Sequence, residues 1–370
     1  MRTAPSFTLG IEEEYQTVDP VSFDLRSHIQ TEIVEEGKRR LKEKVKTEMH
    51  QSVVEVGTGI CRSIAEADAD LRDLRRQMIA LTEEQGLRLV AGATHPFADW
   101  REQAIYPDAR YLQVVEDMQI VARANLIFGL HVHVGIEDRE TLIQLMNQVR
   151  YFLPHLLALS TNSPFWIGMN TGLKSYRCKV FDRFPRTNIP DTFDSWAAFE
   201  NFVDLLVRTN CIDNAKKIWW DARPHPTFGT LEIRVCDIPM RVDETLALAA
   251  LIQATLVKLY RLHERNQSWR SYSRALLMEN KWRAARYGID GSLIDFGQER
   301  EVPERALLAE YLEWVDDVLD ELGSRDAVEH IRWILDHGTG ADRQLRAWEA
   351  AGRDQKAIVD FMIAETRQGL

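Results

Sequence analysis

Three stretches of the chain alternate apolar and polar residues with the period of a strand, and each keeps its ionisable residues on one side. In Thr8-Leu9-Gly10-Ile11-Glu12-Glu13-Glu14-Tyr15, the residues Leu9, Ile11, Glu13 and Tyr15 point one way, while Gly10, Glu12 and Glu14 point the other. The stretch 125–135 alternates more cleanly, with Phe128, Leu130, Val132 and Val134 set against Gly129, His131, His133 and Gly135. In 229–237, Leu231, Ile233 and Val235 form the apolar face and Thr230, Glu232, Arg234 and Cys236 the other. A fourth segment, 45–58, is strand-like but irregular. Its Glu48 and Glu55 stand seven positions apart, so both reach one face only if a bulge or turn intervenes.

Helical spacing governs much of the rest. Ser63-Ile64-Ala65-Glu66 is a capping box, from which Ile64, Leu71, Leu74, Met78 and Leu81 continue at helical intervals to Gly86. Helices are expected over 111–123, over 141–159 with a break at Pro154, and over 195–208. From Asp243 onward the chain reads as mostly helical: 245–262, 274–286, 303–322, 327–336 and a last stretch to about 366. The charged segment 31–46 reads as peripheral, and 87–91 as a short strand leading into Gly92-Ala93-Thr94-His95-Pro96-Phe97, whose histidine reads as surface. Residues 160–190 lack a sustained period and read as a long ordered loop, the kind that carries function in compact domains.

Composition narrows the class. With 370 residues, 45% hydrophobic and 28% charged, the chain reads as a globular protein with a large core, here taken as one domain over 1–370 whose C-terminal part is helical from about 243. The net charge of -11 arises from 57 acidic and 46 basic residues mixed along the chain, which argues against a nucleic-acid surface. Cys61, Cys178, Cys211 and Cys236 show no CxxC spacing, so neither a zinc site nor a disulfide framework is indicated and a reducing cytoplasm fits. Met1-Arg2-Thr3-Ala4-Pro5 leads into the acidic strand without an apolar leader, and no uninterrupted apolar run approaches membrane-spanning length. Neither GxxxxGK[ST] nor GxGxxG occurs, so any nucleotide is held in another way.

The candidate chemistry lies on the polar strand faces. Glu12 and Glu14 would sit roughly 6.5 Å apart on one face. At an effective dielectric of about 20 they repel by roughly 2.5 kcal/mol, so they belong either to a solvated edge or to a cation site. His131 and His133, flanked by glycines, suit a cation or a phosphate. Glu232 and Arg234 either pair across the sheet surface or divide between a metal and a phosphate. Arg177 and Arg186 in the long loop could clamp an anionic substrate or lie at the surface, and the basic helix bearing Lys281 could meet a nucleotide or be merely amphipathic. Together the strands describe an α+β protein whose curved antiparallel sheet forms an active-site floor, flanked by helices, with magnesium or manganese as the leading cation.

Gly10-Ile11-Glu12-Glu13-Glu14, Thr94-His95-Pro96-Phe97, His131-Val132-His133-Val134-Gly135, Ser163-Pro164-Phe165-Trp166, Ser175-Tyr176-Arg177 and Gly229-Thr230-Leu231-Glu232-Ile233-Arg234-Val235 together resemble the bacterial carboxylate-amine ligase family, also called glutamate-cysteine ligase type 2. The resemblance runs from residue 7 to about 294. It implies a glutamine synthetase-like catalytic fold that binds ATP with Mg2+ or Mn2+, acts on an amino acid and an amine, and forms a homodimer. One metal would be held by Glu14, Glu48 and Glu55, the other by Glu12, His131 and Glu232. Arg234 would stabilise the transferring phosphoryl group, His133 and Lys281 would lie beside the nucleotide, Arg177 would face the acidic substrate, and Tyr176 would belong to the site. Glu13 would be structural, its exchange for glutamine better tolerated than at either neighbour. Substrate selection would fall to Gly92-Ala93-Thr94-His95, Met169-Asn170-Thr171-Gly172 and Cys178-Lys179-Val180-Phe181. The competing expectations are a guanidino phosphotransferase of the same superfamily and a non-catalytic metal- or ligand-binding scaffold.

Overall fold

In the computed structural model, residues 4–26 and 30–370 are described, so the leader-free reading of residues 1–3 lies outside the described residues. The strands, in chain order, are β1 (Leu9–Val18), β2 (Val45–Thr47), β3 (Val53–Gly57), β4 (Arg88–Val90), β5 (Leu130–Gly135), β6 (Phe165–Trp166), β7 (Met169–Asn170), β8 (Ala222–Pro224), β9 (Thr230–Ile233), β10 (Ser292–Asp295) and β11 (Arg300–Pro303). Seven of them make one sheet in the order β2-β3-β1-β5-β9-β8, with β4 pairing the end of β1 beyond β5. Every pairing in it is antiparallel. The remaining strands form two small hairpins, β6-β7 and β10-β11.

The sheet separates core from cleft as the alternation requires. Leu9, Ile11, Leu130, Val132, Val134, Leu231 and Ile233 are buried in one continuous apolar cluster, together with the helix Val242–Glu264. That helix is long and apolar enough to span a membrane by length and composition, yet 78% of its most apolar window is buried inside the protein, which makes it a core helix. A second cluster joins Tyr15, Val18, Val54 and Val90 to Ile358, Val359 and Met362 from the C-terminal helix Gln355–Thr366.

Glu13 points to the apolar face as its parity dictates, and it is fully buried there beside an equally buried Arg75. Arg75 Nε donates to Glu13 Oε2 at 2.8 Å, the Tyr15 hydroxyl also donates to that carboxylate, and Thr245 Oγ1 donates to Oε1 at 2.6 Å. A charge on the core face is tolerated because its partners saturate it.

Most helices fall where spacing put them. Ser63 caps Ile64–Glu84, accepting from Glu66 N at 3.2 Å, and Pro154 stands in the first turn of Leu153–Ser160, just after Arg139–Val149. Ser195 caps Trp196–Arg208. The expected helix over 111–123 is instead two, Ala109–Met118 and Ile120–Arg123, because Gln119 takes φ 50° and interrupts the hydrogen-bond ladder. The peripheral segment 31–46 contains the helix Gln30–Leu41, whose Ile33 and Val34 enter the core while most of its charges face out. His95 is only 1% exposed, not a surface residue: Nε2 lies 2.9 Å from Phe23 O, and Nδ1 accepts from Phe97 N and Ala98 N.

Candidate active site

The register of the sheet brings the acidic and imidazole side chains together. Glu12 on β1 lies directly opposite His131 on β5, and His133 lies opposite Glu232 on β9. On the other flank of β1, Glu14 faces Glu55 on β3. Glu48 comes from the connection between β2 and β3, and this turn supplies the reversal that its odd spacing from Glu55 demands. Two groups of three result: Glu12, His131 and Glu232, and Glu14, Glu48 and Glu55, each with its ligand atoms within 4.8 Å of one another. Both line a single cleft of about 1040 Å³.

His133 sits in the same cleft, with Nε2 3.6 Å from Glu12 Oε2 and 3.9 Å from Glu232 Oε1. Arg234 pairs with Glu232 Oε1, and Arg223 grips Oε2 with Nε at 2.8 Å and Nη2 at 2.7 Å. The pairing of Glu232 with Arg234 across two positions therefore exists, but at the floor of the cleft rather than on an outer surface. Arg177 begins the short helix Arg177–Phe181 and is nearly buried, its Nη1 3.5 Å from Val235 O and its Nη2 3.4 Å from Arg234 O. A side chain at Gly129 would collide with that guanidinium.

Two residues that sequence reasoning passed over are prominent. Lys46 Nζ bridges the groups, 2.6 Å from Glu12 Oε1 and 2.7 Å from Glu55 Oε1. Arg223 lies opposite Glu232 in the β8-β9 register, and a hairpin drawn around the turn before Gly229 would have revealed it. The same turn stacks His225 on Phe228, centroids 4.0 Å apart, at the cleft wall.

Lys281 does not reach the cleft. Its ammonium is buried and committed to Asp221 at 2.8 Å and Asn188 Oδ1 at 2.8 Å, and these acidic surroundings hold its pKa above the usual lysine value against the pull of burial. Arg186 lies over the Trp219 ring and donates to Lys217 O, and Tyr176 packs on Trp166. Of the three loop segments expected to select substrate, only Phe181 reaches the cleft wall, where Phe184, Asn214, Lys216, Lys217 and Trp219 also stand.

The electrostatics of the two groups differ. Burial pushes Glu14 up to about 7, with Glu55 adding repulsion and Arg177 opposing it. Burial likewise raises Glu48 to about 7, reinforced by Glu14, and Glu55 to about 8, reinforced by Glu12 and Glu48. In the other group burial also presses upward, but His133 and Lys46 hold Glu12 well below the usual range, and Arg234 and Arg223 do the same for Glu232. His131 is pushed down to about 3 by burial and by Arg234, so it is neutral at physiological pH. Its buried Nδ1, 3.5 Å from Glu12, makes no hydrogen bond among the described residues.

These donors fit hard divalent cations. Three desolvated carboxylates that repel one another gain from a shared cation, and a neutral imidazole with an unpartnered ring nitrogen beside two ionised carboxylates is a mixed oxygen-nitrogen ligand set.

An antiparallel sheet with helices packed on its apolar face and an acid-lined cleft on the other defines an α+β enzyme. Residues 8–360 match the model of glutamate-cysteine ligase family 2, and the chain belongs to that family of ATP-dependent carbon-nitrogen ligases. A relative from Solibacter usitatus is 67% identical over 366 residues, 99% of this chain and 95% of its own length. One from Herpetosiphon aurantiacus is 57% identical, covering 98% and 94%. Both carry the provisional name glutamate--cysteine ligase 2. Among solved structures, a glutamate--cysteine ligase of Francisella tularensis in complex with AMP superposes with a TM-score of 0.71 at 14% identity, over 100% of this chain and 89% of that one. A bifunctional glutathione synthetase of Pasteurella multocida gives 0.72 at 16%, over 98% of this chain but 53% of that one. At these identities the two structures show a shared fold.

Proposed function

We propose that the protein joins an amino acid carboxylate to an amine at the expense of ATP, through an acyl phosphate, with glutamate and cysteine as the pair that the family name suggests. The observation that carries this reading is the placement of two three-donor groups side by side in one cleft that Arg234 and Arg177 also line. Two divalent cations, magnesium or manganese, would be held by Glu14, Glu48 and Glu55 and by Glu12, His131 and Glu232, and would supply charge neutralisation for the phosphates of ATP. In the first step a substrate carboxylate oxygen attacks the γ-phosphorus and ADP leaves. In the second the amine attacks the acyl carbon and phosphate leaves.

Both steps build negative charge on oxygens, and the side chains answer that need by position. Arg223 and Arg234 fix Glu232 in its ionised form from both sides, which keeps it a carboxylate donor and leaves Arg234 beside the transferring group. His133, edge-on to the stacked His225 and Phe228, lies where the phosphates would pass. Arg177, whose charge acts on Glu14, meets the acidic substrate. The four free cysteines agree with a reducing, cytoplasmic setting, where ATP is available.

The test is phosphate release from magnesium-ATP in the presence of pooled amino acids, with mass detection of any amide, repeated after chelation of divalent cations. Amide formation that needs both ATP and cation is expected. No turnover across broad pools, combined with no nucleotide binding, overturns the reading.

A further inference from the structure

Outside the two acidic groups, the most heavily committed carboxylate near the cleft is Asp237. It is fully buried just beyond β9, bridged to Gly129 across the sheet. Its Oδ2 accepts from Asn162 N at 2.8 Å and Ser163 Oγ at 2.7 Å, and its Oδ1 accepts from Ser175 Oγ at 2.9 Å. Ser163 Oγ in turn accepts from Arg177 N at 3.0 Å, and Ser163 and Ser175 lie side by side in a parallel bridge. One carboxylate thus fastens the sheet to both ends of the 163–175 loop and to the residue that starts the following helix.

The distance to the Arg177 side chain gives this knot a functional meaning. Arg177 Nη1 is 3.8 Å from Asp237 Oδ1, close enough for charge compensation but too far for a hydrogen bond. Among the described residues the guanidinium makes only long bonds, 3.5 Å to Val235 O and 3.4 Å to Arg234 O, and its buried Nε has no partner. A free aspartate in this place would close on the arginine as a two-pronged pair and use up the fork that recognises carboxylates. Asp237 is held back because three other donors already occupy it.

Resting on the reading that Arg177 meets the acidic substrate, we propose that Asp237 is a positioning residue. Tethered by Asn162, Ser163 and Ser175, it sets the Arg177 guanidinium at the cleft and balances its charge without quenching its hydrogen bonds, so that a substrate carboxylate completes the set. The three donors act with Asp237 as one device: freeing Oδ1 harms recognition as surely as neutralising it.

The experiment uses the full chain and the acid that supports fastest turnover in the amino acid screen above. Asp237→Asn keeps shape and loses charge, and it raises KM for that acid by about tenfold, while KM for ATP and kcat stay within about threefold. Ser175→Ala frees Oδ1 and raises the same KM, providing a second route should Asp237→Asn not fold. Arg177→Ala raises it further, and the Arg177→Ala/Asp237→Asn double variant is no worse than Arg177→Ala alone, since Asp237 acts only through the arginine. An unchanged acid KM in both Asp237→Asn and Ser175→Ala, or additive effects in the double variant, overturns the inference while leaving the role of Arg177 standing. An unchanged acid KM in Arg177→Ala removes that role and the inference with it. A screen with neither turnover nor nucleotide binding overturns the ligase reading on which both depend.

Discussion

At Glu13 a carboxylate with no exposure meets Arg75, equally buried and also bonded to Met240 O at 2.7 Å, while Glu12 and Glu14 on either side face the cleft. Parity alone suggested that glutamine would be best tolerated at the middle position, but the partner changes that expectation. Glu13→Gln leaves a buried guanidinium without its counter-charge, and breaking such a pair costs about 3–5 kcal/mol, to be read as a lower denaturation midpoint with near-normal turnover in the folded fraction. Glu14→Gln does the reverse. Its carboxylate is raised to about 7 by burial and repulsion, so the neutral amide relieves a cost and raises the midpoint of the cation-free protein while turnover is lost. On β9, Glu232→Gln weakens binding of the cation-ATP complex, whereas Arg234→Ala lowers kcat by about a hundredfold or more, the usual effect of removing one transition-state donor. Unaltered kinetics in both variants would take that strand out of the site.

At the scale of the element, His95 pins the 92–97 loop through both ring nitrogens and is pushed down to about 4 by burial. Its ordinary value is near 6.5, so between the two the unfolded chain binds a proton that the folded protein refuses, and stability falls as pH drops. The stabilisation is complete above about pH 7.5 and erodes by roughly 1 kcal/mol per pH unit toward pH 4. His95→Gln removes this contribution, and urea melts from pH 7.5 to 4.5 show a shallower slope for the variant; identical slopes would place the acid sensitivity elsewhere. That loop marks the boundary of what the sequence reveals. The alternation of β1, β5 and β9 is local, so Glu12, Glu14, His131, His133, Glu232 and Arg234 could be assigned a common face from period two. Partnership across elements is not local: Arg75 meets Glu13 over 62 positions and Lys46 meets Glu12 over 34, distances at which no pattern encodes register. The place of Lys281 is hidden for the same reason, since a basic helix does not say that Asp221 is buried against it.

At the scale of the whole molecule, the C-terminal helices hold the back of the active-site framework. Glu365 pairs with Arg241 at 2.8 and 2.7 Å, Thr366 Oγ1 accepts from Ala91 N at 3.0 Å, and Gln344 reaches Asn162 Oδ1 at 2.7 Å, beside the residues that tether Asp237. Met362 presses against Gly92 so closely that a side chain there would collide with it. Gln355–Thr366 also places Ile358, Val359 and Met362 at zero exposure in the cluster that includes Tyr15 and Val90. Burying each such side chain stabilises by about 1.5–3 kcal/mol, roughly 5–9 for the three, which is comparable to the about 5–15 kcal/mol that holds an ordinary domain together. A chain ending at residue 354 is therefore expected to lose cooperative unfolding and turnover together. Met362→Ala, in the full-length chain, loses about 2–5 kcal/mol by the cavity it leaves while keeping its substrate KM. Should the shortened chain melt and turn over like the full one, the last helix would be an appendage, and the 92–97 loop would be held by its bonds to Gln16, Phe23, Asn162 and Phe165.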